Sequence, residues 1–363
     1  YTFGSVPLYS ILANIVTTPL ISVMTIGGFI SGLAGLIWPL AGSALAWLLY
    51  YPSYVLIGLV SFFNQLPGSS IAAGTIGLWQ FLAIYILLAF VCLWPWWQHR
   101  WWLAGLVVLV LVMVPVWQTK ATLFRVTVLA TSKVPVMVIQ ETGWTTLINS
   151  GDEPTAGLTV LPFLQQQGIN QIDWAIATEI GPRSDSGWLQ ILQQLPIKNF
   201  SDVSNVETNP EYQVFLNSLN QHHGAHLPLQ TGQVISVGST QIDLLRTEPV
   251  TLQLQIGNLT WLFLHDLNTA GQEAGVTTTA NLPQPQVLWW SGKYLTSSLL
   301  STLQPEVVIA SSSSLDTNTL TQLQAAANTR LYWTGRDGAV QWTAEHSFEK
   351  TFDQTHPADS KLD

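Results

Sequence analysis

The chain has 363 residues, of which 9% are charged, and its formal net charge is −9 at neutral pH. The first charged residue is Arg100, and 32 of the 33 charged residues lie in residues 120–363. The front third therefore has the composition of lipid-embedded helices, and the remainder that of a water-soluble domain. Because that remainder is acidic overall, its surface as a whole is a poor binder of nucleic-acid phosphates. The single cysteine, Cys92, excludes a disulfide within the chain.

Turn-forming residues divide the apolar third into segments, and a helix needs about 20 apolar residues to cross a membrane. We predict four or five complete or partial crossings, in segments 7–26, 28–51, 52–66, 74–93 and 101–117. Tryptophans cluster at segment ends, which is typical of the aromatic belt at a membrane interface. The chain begins at Tyr1 without a basic region or a cleavage site, so we expect the C-terminal portion of a longer protein rather than a signal peptide.

From residue 122 onward, short β-rich runs come first as a meander and then alternate with helical runs. This order predicts an α/β domain of two sheets with helices on the outer faces. Gly257-Asn258 predicts a hairpin, and a second hairpin is predicted at Asp337-Gly338. A helix over residues 155–168 is predicted to carry Leu158, Leu161 and Leu164 on one face.

The order of elements and several short phrases resemble the ComEC family of DNA-uptake channel proteins. Residues 14–20 resemble the family's intramembrane Asn…Pro segment, and residues 158–178 resemble its helix and strand before the main metal motif. Residues 304–309 and 332–340 resemble its last two strands. The resemblance implies a membrane α-helical bundle followed by a metallo-β-lactamase-like αββα sandwich. We place the bundle at residues 1–119, the sandwich at 120–347, and a disordered polar tail at 348–363.

The metal-binding phrases of the resembled family are missing from their expected places. Asn149 stands in place of the family's Asp, Thr178-Glu179 in place of its Thr-His, and Trp289-Trp290-Ser291-Gly292 near its His-His-Gly-Ser. Only Asp266 stands where the family keeps an acid. A two-metal hydrolase needs several imidazoles and a bridging carboxylate around cations about 3.5–4 Å apart. The sequence therefore predicts no catalytic, cofactor-binding or metal-ligating residue, and no cofactor.

Three other groups of residues are possible sites. His222, His223 and His226 are interpreted as the end of a helix, with residual metal affinity left open. Asp266, between His265 and Glu273, is interpreted as a helix cap rather than as half of a remnant acid–base pair. Ser291 and the serines at 311–314 are interpreted as polar loops, since no nucleophile motif surrounds them.

Asn14 and Pro19 are the predicted channel-lining residues. An asparagine is costly in lipid unless it faces the bundle or water, and a proline frees a backbone carbonyl. The simpler alternative is interhelical hydrogen bonding with a kink. The glycines at 27, 28, 32 and 35 are predicted to permit close helix contact.

The resemblance implies a multi-pass protein of the inner membrane that passes single-stranded DNA during natural transformation. Its expected partners are DNA, lipid, other competence proteins and further copies of itself, and its soluble domain is expected to be a non-catalytic structural or docking module. Two alternatives remain. One is a membrane-tethered phosphodiesterase with ligands drawn from His222, His223, His226, His265 and Asp266. The other is a transporter or sensor for something other than DNA, with a pocket lined by Trp261, Trp289 and Trp290.

Overall fold

The structure is a computed structural model that describes residues 5–7, 9–65, 70–72, 78–93, 107, 124–131, 134–179, 181–203, 210–265, 284–326, 329–344 and 348–351. The chain divides into two compact units. The first contains residues 1–75 with 165–168, and the second contains residues 76–164 and 169–363.

Two long apolar helices make up most of the first unit. Helix α1 spans Ser10–Ile37 and helix α2 spans Pro39–Gln65. The helical conformation is interrupted between them at Trp38, whose backbone is extended. The next residue is a proline, which disfavours helical backbone in the residue before it. Strands β1 (Ser5–Pro7) and β2 (Ser70–Ala72) form a small antiparallel sheet. In the described part of the chain, α1 and α2 are the two helices long and apolar enough to cross a membrane.

The predicted boundaries of the apolar segments are wrong. Helix α1 continues through Gly27-Gly28, and α2 continues through Pro52. Glycine persists inside α1 where the helices pack closely, because a Cβ at Gly27 would lie 2.6 Å from a methyl of Leu49. Membrane helices also tolerate an interior proline. Helix α3 (Leu78–Leu93) has 16 residues and lies within the predicted segment 74–93, while segment 101–117, apart from Val107, lies outside the described residues.

The second unit contains an eight-stranded sheet, called here the first sheet. Its strands are β3 (Phe124–Val128), β4 (Met137–Glu141), β5 (Trp144–Ile148), β6 (Ile172–Ala177), β7 (Ile197–Asp202), β8 (Ala225–His226), β16 (Val340–Thr343) and β17 (Glu349–Lys350). They lie in the order β17-β16-β3-β4-β5-β6-β7-β8. The strands from β17 to β5 are antiparallel, and those from β5 to β8 are parallel.

The second sheet has seven strands. They are β9 (Val234–Val237), β10 (Thr240–Thr247), β11 (Val250–Ile256), β12 (Leu259–Leu264), β13 (Val287–Trp290), β14 (Val307–Ala310) and β15 (Arg330–Trp333). The spatial order is β15-β14-β13-β12-β11-β10-β9, antiparallel from β9 to β12 and parallel from β12 to β15. The predicted hairpin at Gly257-Asn258 is confirmed, since it joins β11 to β12.

Helices cover the outer face of each sheet. The single-turn helix α4 (Glu153–Thr155) leads into the helices of the first sheet. Against that sheet lie a π-helical turn (Ala156–Val160), α5 (Leu161–Gln166), α6 (Pro182–Gln194) and α7 (Pro210–Gln221). Against the second lie α8 (Ser297–Leu303) and α9 (Thr317–Ala325). One apolar cluster with side chains from both sheets, including Phe263, Trp289 and Trp342, fills the space between them. The layers are therefore helix, sheet, sheet and helix, and the predicted αββα sandwich is confirmed.

Three local predictions are wrong for identifiable reasons. The second hairpin does not form, because β15 pairs in the second sheet and β16 pairs with β3 in the first, joined by the single-turn helix α10 (Thr334–Asp337). Leu158 is 81% exposed, whereas Leu161 and Leu164 are buried, because the buried face is formed by Ala156, Val160, Leu161 and Leu164, and position 158 points away from it. Strand β7 was missed because polar residues interrupt its apolar pattern.

The crossing between the sheets is held by the buried carboxylate of Asp337. It accepts hydrogen bonds from the Trp333 backbone N–H at 2.9 Å and from Arg336 at 2.8 and 2.9 Å, and Lys350 Nζ lies 3.3 Å away. Burial raises the pKa of the Asp337 carboxyl, but the Arg336 and Trp333 hydrogen bonds and the charges of Arg336 and Lys350 outweigh it. The pKa therefore lies below the ordinary value for aspartate.

We expect Asp337→Asn to destabilise the protein by about 1–3 kcal/mol at neutral pH, since hydrogen bonds to a charged group are lost. A carboxylate with a lowered pKa contributes stability above its unfolded-state pKa, and this stability is lost as the pH falls through the folded-state pKa. The variant should therefore lose less stability than the wild type between neutral and strongly acidic pH. Thermal midpoints of the full chain in detergent, measured across that pH range, check this. Asp316→Asn is the matched control, because asparagine caps a helix as well as aspartate does and Asp316 caps α9. Equal acid sensitivity of D337N and wild type would contradict the assignment.

Candidate functional site at the carboxyl ends of the strands

Asn149, directly after β5, joins three segments at the carboxyl edge of the first sheet. It adopts a left-handed backbone with φ 61°, a conformation that asparagine tolerates. Its Oδ1 accepts hydrogen bonds from the backbone N–H and the hydroxyl of Thr178, both at 2.9 Å, and its Nδ2 donates to the carbonyl of Pro135 at 2.9 Å. The side chain is buried, with its amide oxygen and nitrogen both bonded within the protein. Asn149 is therefore a structural tie at this edge.

Asp202, at the end of β7, is the centre of a second polar cluster, which the sequence analysis missed. Asp202 is only 1% exposed. Its Oδ2 accepts a hydrogen bond from Tyr212 Oη on α7, and its Oδ1 lies 3.0 Å from His226 Nε2 on β8. Two hydrogen-bonding partners from two different elements therefore hold the buried carboxylate. Recognising β7 as a strand would have revealed a strand-terminal aspartate beside the helix that carries Tyr212.

The histidine-rich segment ends helix α7, as its interpretation predicts. His222 and Gly224 donate backbone hydrogen bonds to carbonyls of the last helical turns, at Ser218 and Leu219. His223 takes the left-handed conformation, φ 61°, that glycine more often supplies at a helix end. Gly224 follows because a Cβ there would lie 2.4 Å from a methyl of Leu219. The side chains of His222 and His223 are exposed, while His226 contacts Asp202.

One contact joins the carboxyl edges of the two sheets. Glu179 Oε2, after β6, lies 3.4 Å from His265 Nε2, after β12. The glutamate side chain is 49% exposed and the histidine 18%. Asp266 and Glu273 lie outside the described residues, so their predicted roles remain predictions.

Hydroxyl groups occupy the carboxyl ends of the parallel strands in the second sheet. Ser311 accepts a hydrogen bond from Trp289 Nε1 at 2.8 Å, and the Ser312 backbone N–H donates to Thr334 Oγ1 at 3.2 Å. Ser312 Oγ in turn donates to the carbonyl of Ser314 at 2.7 Å. These contacts tie β13, β14 and the start of α10 together. They give the serines an architectural role.

The three tryptophans proposed to line a ligand pocket do not share one face. Trp261 and Trp289 belong to the apolar cluster between the sheets, whereas Trp290 belongs to the cluster beneath α8 and α9. Successive residues of a strand point to opposite faces, which separates Trp289 from Trp290. All three side chains are buried in packed cores. The pocket on which the transporter or sensor alternative depended is not formed by these residues.

The side chains at the strand ends do not fit a metal centre of the metallo-hydrolase kind. In the described ranges, no group of three His, Cys, Asp or Glu side chains could hold a metal ion. The amide oxygen of Asn149 accepts a hydrogen bond from the Thr178 hydroxyl, and that hydroxyl is a poor ligand for a transition metal. The histidines proposed as ligands of a phosphodiesterase contact different carboxylates. His226 contacts Asp202, and His265 contacts Glu179.

The predicted channel-lining residues both lie on exposed surface of α1. Asn14 and Pro19 are five residues apart, which places them about 140° apart around a helix of about 3.6 residues per turn. They therefore do not share one helix face.

Fold and site together describe a protein whose sequence places apolar helices ahead of an αββα sandwich. Residues 1–98 match the family model described as Competence protein, which confirms the predicted resemblance for this part of the chain. With the two candidate spans, the match supports a membrane protein. A search of curated proteins finds no match.

Several solved structures are similar to the chain. The metallo-β-lactamase fold protein YhfI from Bacillus subtilis is 9% identical, with a TM-score of 0.41, covering 58% of this chain and 96% of its own. A diphosphatase of the PhnP family is 13% identical, with a TM-score of 0.39, covering 62% of this chain and 100% of its own. Zn²⁺-bound PqqB from Methylobacterium extorquens is 9% identical, with a TM-score of 0.34, covering 50% and 75%.

We expect Asn149→Asp to destabilise the protein by about 1–3 kcal/mol, because a carboxylate oxygen would replace the amide donor that faces the Pro135 carbonyl. The change restores the acid of the resembled family, yet we expect no metal to be retained. Thermal midpoints and metal content of the full chain after incubation with Zn²⁺ or Mn²⁺ check both outcomes. Asn217→Asp, on the exposed face of α7, controls for the added charge. A bound metal that raises the midpoint of N149D would show that the edge keeps a working metal scaffold.

We expect Tyr212→Phe and His226→Gln each to cost about 1–3 kcal/mol, since each alters a partner of the buried Asp202 carboxylate. Because the two partners share that carboxylate, the double variant should depart from additivity by about 0.5–3 kcal/mol. Denaturant unfolding of the four proteins measures this coupling. His222→Gln, at an exposed position, should change stability by less than about 0.5 kcal/mol. Additive effects of Tyr212→Phe and His226→Gln would contradict a shared network.

Proposed function

We propose that this chain forms part of a multi-pass inner-membrane channel that passes single-stranded DNA during natural transformation. The match of residues 1–98 to the Competence protein family is the observation that carries this proposal. The two candidate spans, and the absence of any charged residue before Arg100 in the sequence, support the placement in a membrane. Other competence proteins and further copies of this chain are the proposed partners.

The soluble sandwich acts as a structural or docking module rather than as a nuclease. Its strand ends carry an amide and hydroxyls that satisfy one another, as Asn149 and Thr178 do. Its remaining buried carboxylate there, Asp202, is held by Tyr212 and His226. Cleavage of a phosphodiester by a two-metal mechanism requires charged ligands that converge on the cations. The groups that could serve are instead separated into pairs.

The acidic balance of residues 120–363 supports a module that lets DNA pass without holding it. Polyanion binding is driven by lysine and arginine, which release counterions from the phosphates. This part of the chain has 11 basic and 21 acidic residues. A domain of that charge repels phosphate at long range, so its role is to contact other proteins or to brace the helices.

The Glu179–His265 contact is the observation that favours a second candidate, a membrane-tethered metal-dependent phosphodiesterase. It brings one carboxylate and one imidazole together where the two carboxyl edges meet. Two ligands do not make a catalytic centre, which typically takes three protein groups. A functional test of these two residues separates the candidates.

We expect the full chain to restore DNA uptake in cells that lack its gene, and the double variant Glu179→Ala, His265→Ala to restore it equally. Uptake is measured as labelled DNA that becomes resistant to external nuclease, and as transformant number. The purified full chain should leave single-stranded DNA intact in the presence of Mn²⁺ or Zn²⁺, beside a known metallo-nuclease as a positive control.

Loss of uptake in the double variant, with unchanged protein amount and thermal midpoint, would overturn the non-catalytic role. Metal-dependent cleavage that disappears in the same variant would establish the phosphodiesterase. Failure of the wild-type chain to restore uptake, when it is present in the membrane, would remove DNA as the substrate.

A further inference from the structure

One end of the sandwich contains the point at which the chain enters it. Strand β3 begins there at Phe124, and the same end carries three turns, Thr142-Gly143, Gly238-Ser239 and Gly257-Asn258. We call this end the amino edge, because the parallel strands of both sheets begin there. The two sheets meet at this edge, since a Cβ on Gly257 would lie 3.5 Å from a ring carbon of Phe124.

The covalent chain keeps the amino edge close to the last predicted membrane crossing. That segment, residues 101–117, ends at Trp117, and β3 begins at Phe124, seven residues later. Seven residues span at most about 25 Å when fully extended. Phe124 pairs with Glu141, and Glu141 pairs with Trp144 on the next strand. Because neighbouring strands lie about 4.8 Å apart, Trp144 is about 10 Å from the entry point and within reach of the bilayer surface.

Trp144 is an exposed tryptophan beside the turn that joins β4 to β5. It is 45% exposed, whereas Trp261, Trp289 and Trp342 are buried in the core between the sheets. The Nζ of Lys198 lies 5.9 Å from the centroid of its ring, within the range of a cation–π contact. An indole has an apolar body and a polar N–H, and it therefore favours the interface between membrane and water.

The carboxylates beside Trp144 are buried and hydrogen-bonded. Glu141 accepts from two backbone N–H groups where β9 connects to β10. Asp173 accepts from the backbone N–H of Thr145 at 2.9 Å and from Lys198 at 2.7 Å. Glu141 and Asp173 are 8% and 6% exposed. These two carboxylates therefore do not oppose the approach of the indole to the phosphates of lipid headgroups.

We propose that the amino edge of the sandwich rests on the surface of the bilayer, with the Trp144 side chain inserted among the lipid headgroups. This inference rests on the membrane placement within the proposed function, and it adds the lipid surface as a partner of the sandwich. Lys198 extends past the ring and keeps its ammonium in the polar headgroup layer, as lysine does at membrane interfaces. The carboxyl edge of the sandwich then faces away from the bilayer, where other proteins reach it.

A fluorophore on a single cysteine of the full chain tests this contact in vesicles of phosphatidylcholine and phosphatidylglycerol. Cys92→Ser removes the one native cysteine, and Thr142→Cys places the label in the exposed turn beside Trp144. Leu227→Cys is the control, since Leu227 is as exposed as Trp144, at 45%, and bonds to Phe200 in the middle of β7. We expect nitroxides on the lipid headgroups to quench position 142 at least about twofold more than position 227, because only the amino edge meets the interface.

Substitutions of Trp144 show whether its indole makes the contact. We expect Trp144→Ala to remove at least about half of the quenching at position 142, and Trp144→Tyr to keep most of it, because tyrosine shares the preference for the interface. Leu227→Ala removes an equally exposed apolar side chain and should leave the quenching unchanged. The thermal midpoint of each variant in detergent checks that the fold is intact. Equal quenching in Trp144→Ala and wild type would overturn the proposed insertion.

A third reporter separates this inference from the function on which it rests. Ile26 is 62% exposed on α1, and a label at Ile26→Cys is quenched by nitroxides within the acyl chains when α1 spans the bilayer. Quenching at positions 26 and 142 supports both the membrane placement and the docked edge. Quenching at 26 without quenching at 142 overturns the docked edge alone. Absence of quenching at 26 overturns both, while DNA as the cargo is decided separately by the uptake assay.

Discussion

The soluble unit depends on the burial of aromatic and aliphatic side chains between its two sheets. Backbone hydrogen bonds hold each sheet together, whereas the contact between the sheets comes chiefly from side chains. Trp261 of the second sheet meets Trp342 of the first edge to face, with ring centroids 6.4 Å apart. Beside them, Phe263 and Trp289 of the second sheet pack with tilted rings whose centroids are 4.3 Å apart. Each such side chain stabilises the fold by about 1.5–3 kcal/mol through burial. Glu141 adds a polar tie, accepting from the backbone N–H groups of Ser239 and Thr240 on the other sheet.

This packing determines where the chemistry of the domain can lie. One end of each sheet is parallel, from β5 to β8 in the first sheet and from β12 to β15 in the second. The Glu179–His265 contact joins the carboxyl ends of two of these strands, β6 and β12. Carboxylates that converge at such an edge repel one another unless cations or donors offset their charge. In this chain Asn149 is bonded to a hydroxyl, and Asp202 has a phenol and an imidazole as its partners. The described part of the edge is therefore stable as a network of hydrogen bonds.

Features with local causes could be predicted from the sequence. Periodicity and turn chemistry were enough to predict the Gly257-Asn258 turn, the meander and the alternating strands and helices. Together these elements predict two sheets with helices on their outer faces. Features that depend on distant partners could not be predicted. Asp337-Gly338 has the composition of a hairpin turn, yet tertiary pairing sends β16 to the opposite sheet. Asp202 was missed because its partners, Tyr212 and His226, are distant in sequence and the polar residues of β7 disguise a strand.

In the helices, too, composition predicts one property, while another depends on contacts with distant residues. Composition makes α1 a candidate membrane span, whereas the side of α1 that packs against α2 is known only from contacts such as that of Ser31 with Gly42. Residues 1–99 carry no Lys or Arg, so no cation there could offset the dehydration of a phosphate. Bringing an ion into a low-dielectric interior without a counter-charge costs at least several kcal/mol. A polyanion that passed such helices would therefore have to keep its water.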